Sequence, residues 1–290
     1  MATLQDIRRR IRSVQSTQKI TRAMKLVAAA KLRRAQERIL AARPYSDKMG
    51  AVLASLALRA DRSAHPLLVH RAGNRKVLVV IAADRGLCGA FNSNILRRSL
   101  EWLRQQGEAE VALTLVVVGR KARDFYRRRP VTVRAAYANF FDRLAYEHAA
   151  EVGQELVRAY VEDAADEVHL CYNEFKSAAA QRVTVTKLLP IEPLPVPEGE
   201  AVVDFLYEPS AAVILDRLLP KDIEVQIYRA LLESLAAEYG ARMTAMDNAT
   251  KNAAEMIEVL TIAFNKARQE RITKELLEVV AGAEALRASG

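Results

Sequence analysis

The last 70 residues of the chain, 221 to 290, contain no proline, and before residue 66 the only proline is Pro44. Proline removes a helical hydrogen bond and clashes with the turn before it, so both ends can run as long helices. The middle is punctuated, most densely by Pro190, Pro193, Pro195 and Pro197 in "LPIEPLPVPEGE".

Near the N-terminus, positions 4, 7, 11, 14, 18, 21, 25, 28, 32, 35, 39 and 42 step by three and four and read Leu, Ile, Ile, Val, Gln, Thr, Lys, Ala, Leu, Ala, Ile, Ala. This is a heptad seam with a polar centre. Beside that centre Ile20, Met24 and Val27 form a second apolar stripe. Either the seam slips there, or the stretch faces something other than its partner helix. Apolar spacing resumes at Met49, Val52, Leu53 and Leu56, so Pro44 should kink the helix without ending it.

At the other end, "YEPSAAVILDRLLP" reads as a short helix closed by Pro220. A second helix is then expected from Asp222 to about Leu286, with its seam at Met246, Ala249, Ala253, Met256, Leu260, Ala263 and Ala267. About 65 residues at ~1.5 Å each make a rod of roughly 100 Å. A lone helix of that length would expose its stripe, so pairing with the N-terminal helix is expected, antiparallel because the middle of the chain folds between them. The C-terminal helix should outrun its partner by roughly ten residues, ~15 Å. That leaves Leu276, Leu277, Val280 and Leu286 as an exposed apolar tip, which marks a binding surface.

Between about Lys76 and Tyr207, strand and helix patterns alternate. "KVLVVIAA" and "VALTLVVVG" are near-continuous apolar runs, as in parallel strands buried on both faces. "VHLCYNEF" and "VTVTKLL" read as further strands, a hairpin or edge pair. Helical patterns cover Asn92 to Arg104, Lys121 to Arg128 and Arg143 to Asp163. The fold class is therefore α/β: a long antiparallel two-helix coiled coil plus a Rossmann-like α/β domain. The expected divisions are 1–60, 70–208 and 210–290.

Chemistry is sparse. "DRGLCGAFN" after the first strand holds Gly86 and Gly89 but neither a dinucleotide fingerprint nor a Walker lysine, so it reads as a tight turn packing a helix onto the sheet. Cys88 and Cys171, both in apolar, strand-like runs, read as buried reduced thiols suited to a reducing cytoplasm. The histidines have no metal-ligand spacing, and no apolar run is long enough to span a membrane. No cofactor, metal or catalytic residue is expected. The Arg-rich start reads as mature protein, since its helical pattern outlasts any leader.

Charge is concentrated. Residues 1 to 60 hold 14 Lys and Arg against Asp6, Glu37 and Asp47, a net of +11, while the rest of the chain sums to −2. A basic coiled-coil nucleic-acid binder would use the same segment, yet Tyr45 is its only aromatic residue.

"IRSVQSTQKITRAMKLVAAAKLRRAQ", "ADRGLCGAFN", "YEPS", "RMTAMDNATKNA" and "NKARQERITKEL" follow one another along nearly the whole chain. Together they resemble the gamma subunit family of F-type ATP synthases, the central rotor shaft. That resemblance implies a non-catalytic subunit whose terminal helices form an antiparallel coil inside three alpha and three beta subunits. The α/β domain would sit at the foot against the epsilon subunit and the membrane c-ring. It makes the basic belt of Lys19, Arg22, Lys25, Lys31, Arg33 and Arg34 a partner for acidic loops on beta. It also assigns coupling to beta to Met24, Arg242, Arg268, Gln269, Thr273 and Glu278, and places Phe205, Tyr207 and Glu208 near the ring. Neither nucleic acid nor a small-molecule substrate is implied. The cysteine-bearing insert of chloroplast-type gamma subunits is missing from "IEPLPVPEGEAVVDFLYEP", so thiol regulation is not expected. The implied location is the cytoplasmic face of a bacterial inner membrane, as a peripheral protein.

Overall fold

The structure, a computed structural model, describes residues 3–57, 65–107, 112–162, 164–178, 180–192 and 210–288. Compactness divides the chain into two units, one of residues 1–27 with 245–290 and the other of residues 28–244. Two long helices, α1 (Leu4–Ala57) and α5 (Ala211–Ala288), contribute to both.

In the second unit a five-stranded sheet is built from β1 (Arg75–Ile81), β2 (Ala112–Val118), β3 (Thr132–Tyr137), β4 (Glu167–Phe175) and β5 (Gln181–Leu189), in the order β3-β2-β1-β4-β5. β1 pairs parallel with β2 and β4, β2 pairs parallel with β3, and β5 closes the other edge antiparallel to β4. The expected edge hairpin is thus β4 with β5. The strand missed by sequence reading is β3, whose burial alternates along "TVRAAY". An edge strand covered on one face alternates instead of forming an apolar run, and two alternations of Val and Ala among Arg and Thr are a weak signal.

Helices α2 (Phe91–Gly107) and α3 (Arg120–Tyr126) cover one face of the sheet over Leu78, Val80, Leu115 and Val117. On the other face α4 (Tyr146–Val161) and the 28–57 and 211–244 stretches of α1 and α5 pack on Val77, Val79, Ile81, Val116 and Val118. Polar ties reinforce that second layer. Arg38 on α1 donates to the Leu144 carbonyl at 2.6 Å and to the Tyr228 hydroxyl of α5 at 2.9 Å. The Tyr146 hydroxyl donates to the buried Glu224 carboxylate at 2.7 Å.

Pro44 lies inside α1, which continues to Ala57 as expected. Pro220, expected to close a short helix, does not, since α5 runs unbroken through it. Leu215, Leu219, Ile223 and Ile227 on either side are all buried at helical spacing in the main core. Burying four such side chains contributes roughly 6–12 kcal/mol, which outweighs the ~3 kcal/mol that an internal proline costs.

In the first unit α1 and α5 lie antiparallel. The Thr21 and Thr250 hydroxyls are 2.8 Å apart, the Lys25 ammonium is 2.6 Å from the Asp247 carboxylate, and the Arg8 guanidinium lies over the Phe264 ring at 5.4 Å. Going 17 residues back, from Lys25 to Arg8, moves the partner 17 residues on, from Asp247 to Phe264. The α1 seam keeps its register, for Gln18, Thr21, Lys25 and Ala28 are all shielded while Ile20, Leu26 and Val27 face outward. The α5 seam differs from expectation. Its shielded positions include Met246, Ala249, Thr250, Ala253, Ile257, Leu260, Phe264 and Ala267, so Ala249 holds as expected while Ile257 and Phe264 replace Met256 and Ala263. An alternation of 4,3 instead of 3,4 is equally periodic within one helix, and only the facing helix selects between them.

Candidate functional site

The coil of the first unit has a polar centre within an otherwise apolar seam. At its centre the seam holds Thr21 on Thr250 and Lys25 on Asp247, while large apolar side chains point outward. Leu26 and Val259 are each 65% exposed, and Ile20, Val27, Met256 and Ile262 are exposed as well. Facing polar pairs satisfy one another, so the coil holds with a polar centre, and exposed apolar side chains of this kind mark a binding surface.

Of the residues singled out from sequence, Lys19, Arg22, Met24, Lys25, Arg268, Gln269, Thr273 and Glu278 fall in this unit and Arg242 in the other. Lys19 and Arg22 are exposed, and Met24 is half-buried beside the seam. Lys25 is bonded to Asp247 across the coil, with its side chain 41% exposed. Lys25 and Lys251 together hold the Asp247 carboxyl below the usual carboxylate range. Arg33 is bonded to Glu37 at 3.1 Å and Arg34 is exposed.

Carrying the coil register from Lys25 to Leu4 puts the end of the pairing at Arg268. From there α5 continues to Ala288 with no described partner, about 20 residues or ~30 Å, twice the overhang expected. Arg268, Gln269, Thr273 and Glu278 lie on it and are exposed, with Lys274 3.7 Å from Glu278. Leu276, Leu277 and Val280 are exposed there too, joined by Ile272 and Val279, which the tip assignment omitted. The side chain of Leu286, together with Phe205, Tyr207 and Glu208, lies outside the described residues.

In the second unit the crest at the C-terminal ends of β1, β2 and β3 is where doubly wound sheets take ligands. Here it is closed by the chain's own carboxylate. Asp84 accepts the backbone N–H of Arg120 and of Asn139 at 2.9 Å each, and of Phe141 at 3.4 Å. Donors that would serve a phosphate are thereby committed to Asp84. The turn behind it packs as expected, with Cys88 buried in the turn itself and not in a strand, and the Asn92 side chain donating to the Arg85 carbonyl and to Cys88 Sγ at 3.2 Å each. Both cysteines are free and buried, and burial pushes the Cys171 thiol up to about 12. Among the described residues no cluster of His, Cys, Asp or Glu could hold a metal, and no helix is long and apolar enough to cross a membrane.

Arg242 turns inward. Its side chain is 13% exposed, lies 2.6 Å from the 6% exposed Glu238 carboxylate, and donates to the Gly86 carbonyl at 3.1 Å. Sequence reasoning had no signal for this, because Glu238 reads as one more charge on a helix.

Charge also has a second seat. Between Phe91 and Arg134, the stretch that carries α2 and α3, ten Lys and Arg stand against four Asp and Glu, a net of +6. The −2 outside residues 1 to 60 therefore conceals a basic layer offset by acidic residues elsewhere.

A family model described as ATP synthase matches residues 3–286. The ATP synthase gamma chain of Pelotomaculum thermopropionicum is 50% identical over 287 residues, 99% of this chain and 100% of that relative. The gamma chain of Geobacter metallireducens is 48% identical over 287 residues, with the same coverage. A chain of the central stalk and c-ring of the Tetrahymena thermophila mitochondrial ATP synthase is 27% identical with a TM-score of 0.59, covering 79% of this chain and 99% of that one. A chain of the Euglena gracilis mitochondrial ATP synthase in rotational state 3 shares the fold, with a TM-score of 0.71 at 21% identity over 99% of this chain and 95% of that one. A full-length match at this identity to gamma chains, together with a long antiparallel coil joined to an α/β sheet, leads to one conclusion: the chain belongs to the gamma chain family of the ATP synthases.

Proposed function

We propose that the outward apolar band and the overhanging end of α5 are the surfaces through which this chain does its work. As a member of the gamma family it is a non-catalytic rotor component of the central stalk, coupling rotation to conformational change at the catalytic subunits. The observation that carries the surface assignment is the set of apolar side chains left exposed beside a polar seam centre: Ile20, Leu26, Val27, Met256, Val259 and Ile262 outside, Thr21, Lys25, Asp247 and Thr250 inside. Covering a half-exposed side chain of this size contributes roughly 1 kcal/mol. Eleven exposed apolar residues on the unit thus outweigh the basic belt, whose surface ion pairs contribute about 0–1 kcal/mol each. Apolar contact has no preferred direction, so it holds a shaft without pinning its angle.

The sleeve would be three alpha and three beta subunits, with Lys19, Arg22, Met24, Lys25, Arg268, Gln269, Thr273 and Glu278 meeting beta. The epsilon subunit and the c-ring would meet the foot, at the cytoplasmic face of a bacterial inner membrane. Unequal contacts around the shaft would favour a different state in each catalytic subunit, since a partner shifts an equilibrium only by its differential affinity for the states. Nothing in the comparisons supports the nucleic-acid alternative.

Spin labels at Val259 and Val280 test the assignment. On mixing the full chain with purified alpha and beta subunits, both should lose mobility and accessibility to a water-soluble relaxation agent. Labels that stay mobile and wet in an assembled complex would refute the band and the tip as the sleeved surface.

A further inference from the structure

A ring of charged and polar groups ties both long helices to the crest of the sheet within the second unit. From α1, the Lys31 ammonium reaches the Asp142 carboxylate at 3.4 Å and lies over the Tyr239 ring. Asp142 also takes Arg85 of the turn after β1 at 2.6 Å. The next residue of that turn, Gly86, accepts from Arg242 on α5, and Arg242 is held by Glu238 one helical turn earlier. Asp84, Arg85, Phe141, Asp142, Glu238, Tyr239 and Arg242 line a small crevice at this point. The turn so held is strained, since Leu87 sits at φ 63° with its side chain 64% exposed. A bulky residue at positive φ persists only where its surroundings over-determine it.

We propose that Glu238 is a positioning residue whose carboxylate holds the Arg242 guanidinium against the Gly86 carbonyl, and that this latch, released when Glu238 takes up a proton, fixes the 84–90 turn to α5. One terminal nitrogen of Arg242, Nη2, serves both acceptors, the Glu238 carboxylate at 2.6 Å and the Gly86 carbonyl at 3.1 Å, so the guanidinium bridges α5 and the turn. A neutral Glu238 leaves the nearly buried Arg242 cation with neutral acceptors only and without its charged partner, and the cation then gains by turning to water.

The groups facing Glu238 set the direction. Burial raises its pKa most, Arg242 lowers it, Asp84 raises it and Lys31 lowers it, which together leave it raised to about 7. Asp142 and Arg85 stand across the crevice as a mutual pair, and neither Tyr239 nor Cys88 titrates toward neutrality, because burial raises both. With Arg242 swung away Glu238 loses its strongest stabilising charge, so its affinity for a proton is higher still when the latch is open. Proton uptake therefore favours the open arrangement, by up to about tenfold per pH unit. The importance of the latch for torque rests on the rotor reading, but its existence does not.

Amide hydrogen exchange of the 84–92 segment in the full chain, alone and in the assembled complex, tests this at pH 6, 7 and 8 after correction for intrinsic rates. The segment should be most protected at pH 8 and lose protection severalfold toward pH 6. Glu238→Gln should abolish that slope with low protection throughout, and Arg242→Met should do the same. A flat native profile overturns the proposal, and so does a Glu238→Gln chain with native protection and slope. If neither variant folds, the native profile alone decides. In vesicles, lowered proton pumping per ATP in Glu238→Gln would join the latch to rotation. Unchanged pumping with altered exchange would overturn its part in torque and leave the latch standing.

Discussion

The Lys25 ammonium and the Asp247 carboxylate meet at 2.6 Å across the two helices of the coil, where Lys25 occupies a seam position usually filled by an apolar side chain. Each is about one-third exposed or more, so the pair sets register more than it adds stability. Reversing one charge, as Lys25→Asp or Asp247→Lys, should lower the thermal midpoint of the full chain, and the double reversal should recover most of the loss. The pair should also respond to acid. Asp247 is held below the ordinary carboxylate range, first by Lys25 and then by Lys251, so its contribution is present above about pH 4 and lost as pH falls through the depressed value. Exchange protection around Thr250, followed from pH 5 to pH 2, checks the direction.

The exposed tip separates stability from assembly. Leu276→Asp with Val280→Asp touches side chains already in water, so unfolding of the isolated chain should change by less than about 0.5 kcal/mol per site. Assembly with alpha and beta, followed by size-exclusion chromatography, should weaken clearly. Equal assembly of the double variant would show that the overhang is not sleeved.

Continuity of α5 through Pro220 depends on the side chains that flank it. Leu219 is 1% exposed in the main core, so Leu219→Ala should cost about 2–5 kcal/mol in denaturant unfolding, as for other large-to-small core changes. A cost below 1 kcal/mol would mean that something other than burial carries the helix past the proline.

Gly119, between β2 and α3, adopts φ 95°, and a Cβ there would run into the Ala82 carbonyl oxygen. Gly119→Ala should therefore cost at least about 1–3 kcal/mol from backbone strain alone. Loosening should appear first at the Arg120 N–H that Asp84 accepts, as faster exchange at that amide.

Much of this protein is a property of the chain read one residue after another. Three-and-four spacing from Leu4 to Ala42 identified the shielded face of α1 position by position, polar centre included, because a helical stripe is a local periodicity. Apolar runs at 76–83 and 111–119 identified strands buried on both faces, because such burial forbids alternation. What two segments decide together could not be read that way. The seam of α5 runs through Ile257 and Phe264 because the facing helix selects one of two equal periodicities. α5 crosses Pro220 because four distant-packing side chains outweigh one lost hydrogen bond, and β3 forms because β2 offers it an edge. Arg242 faces inward because folding brings a carbonyl 156 residues away within reach of its guanidinium. Local propensity is written in neighbours along the chain, whereas register, overhang and buried charge pairs arise only from neighbours in space, where desolvation and packing set the energies.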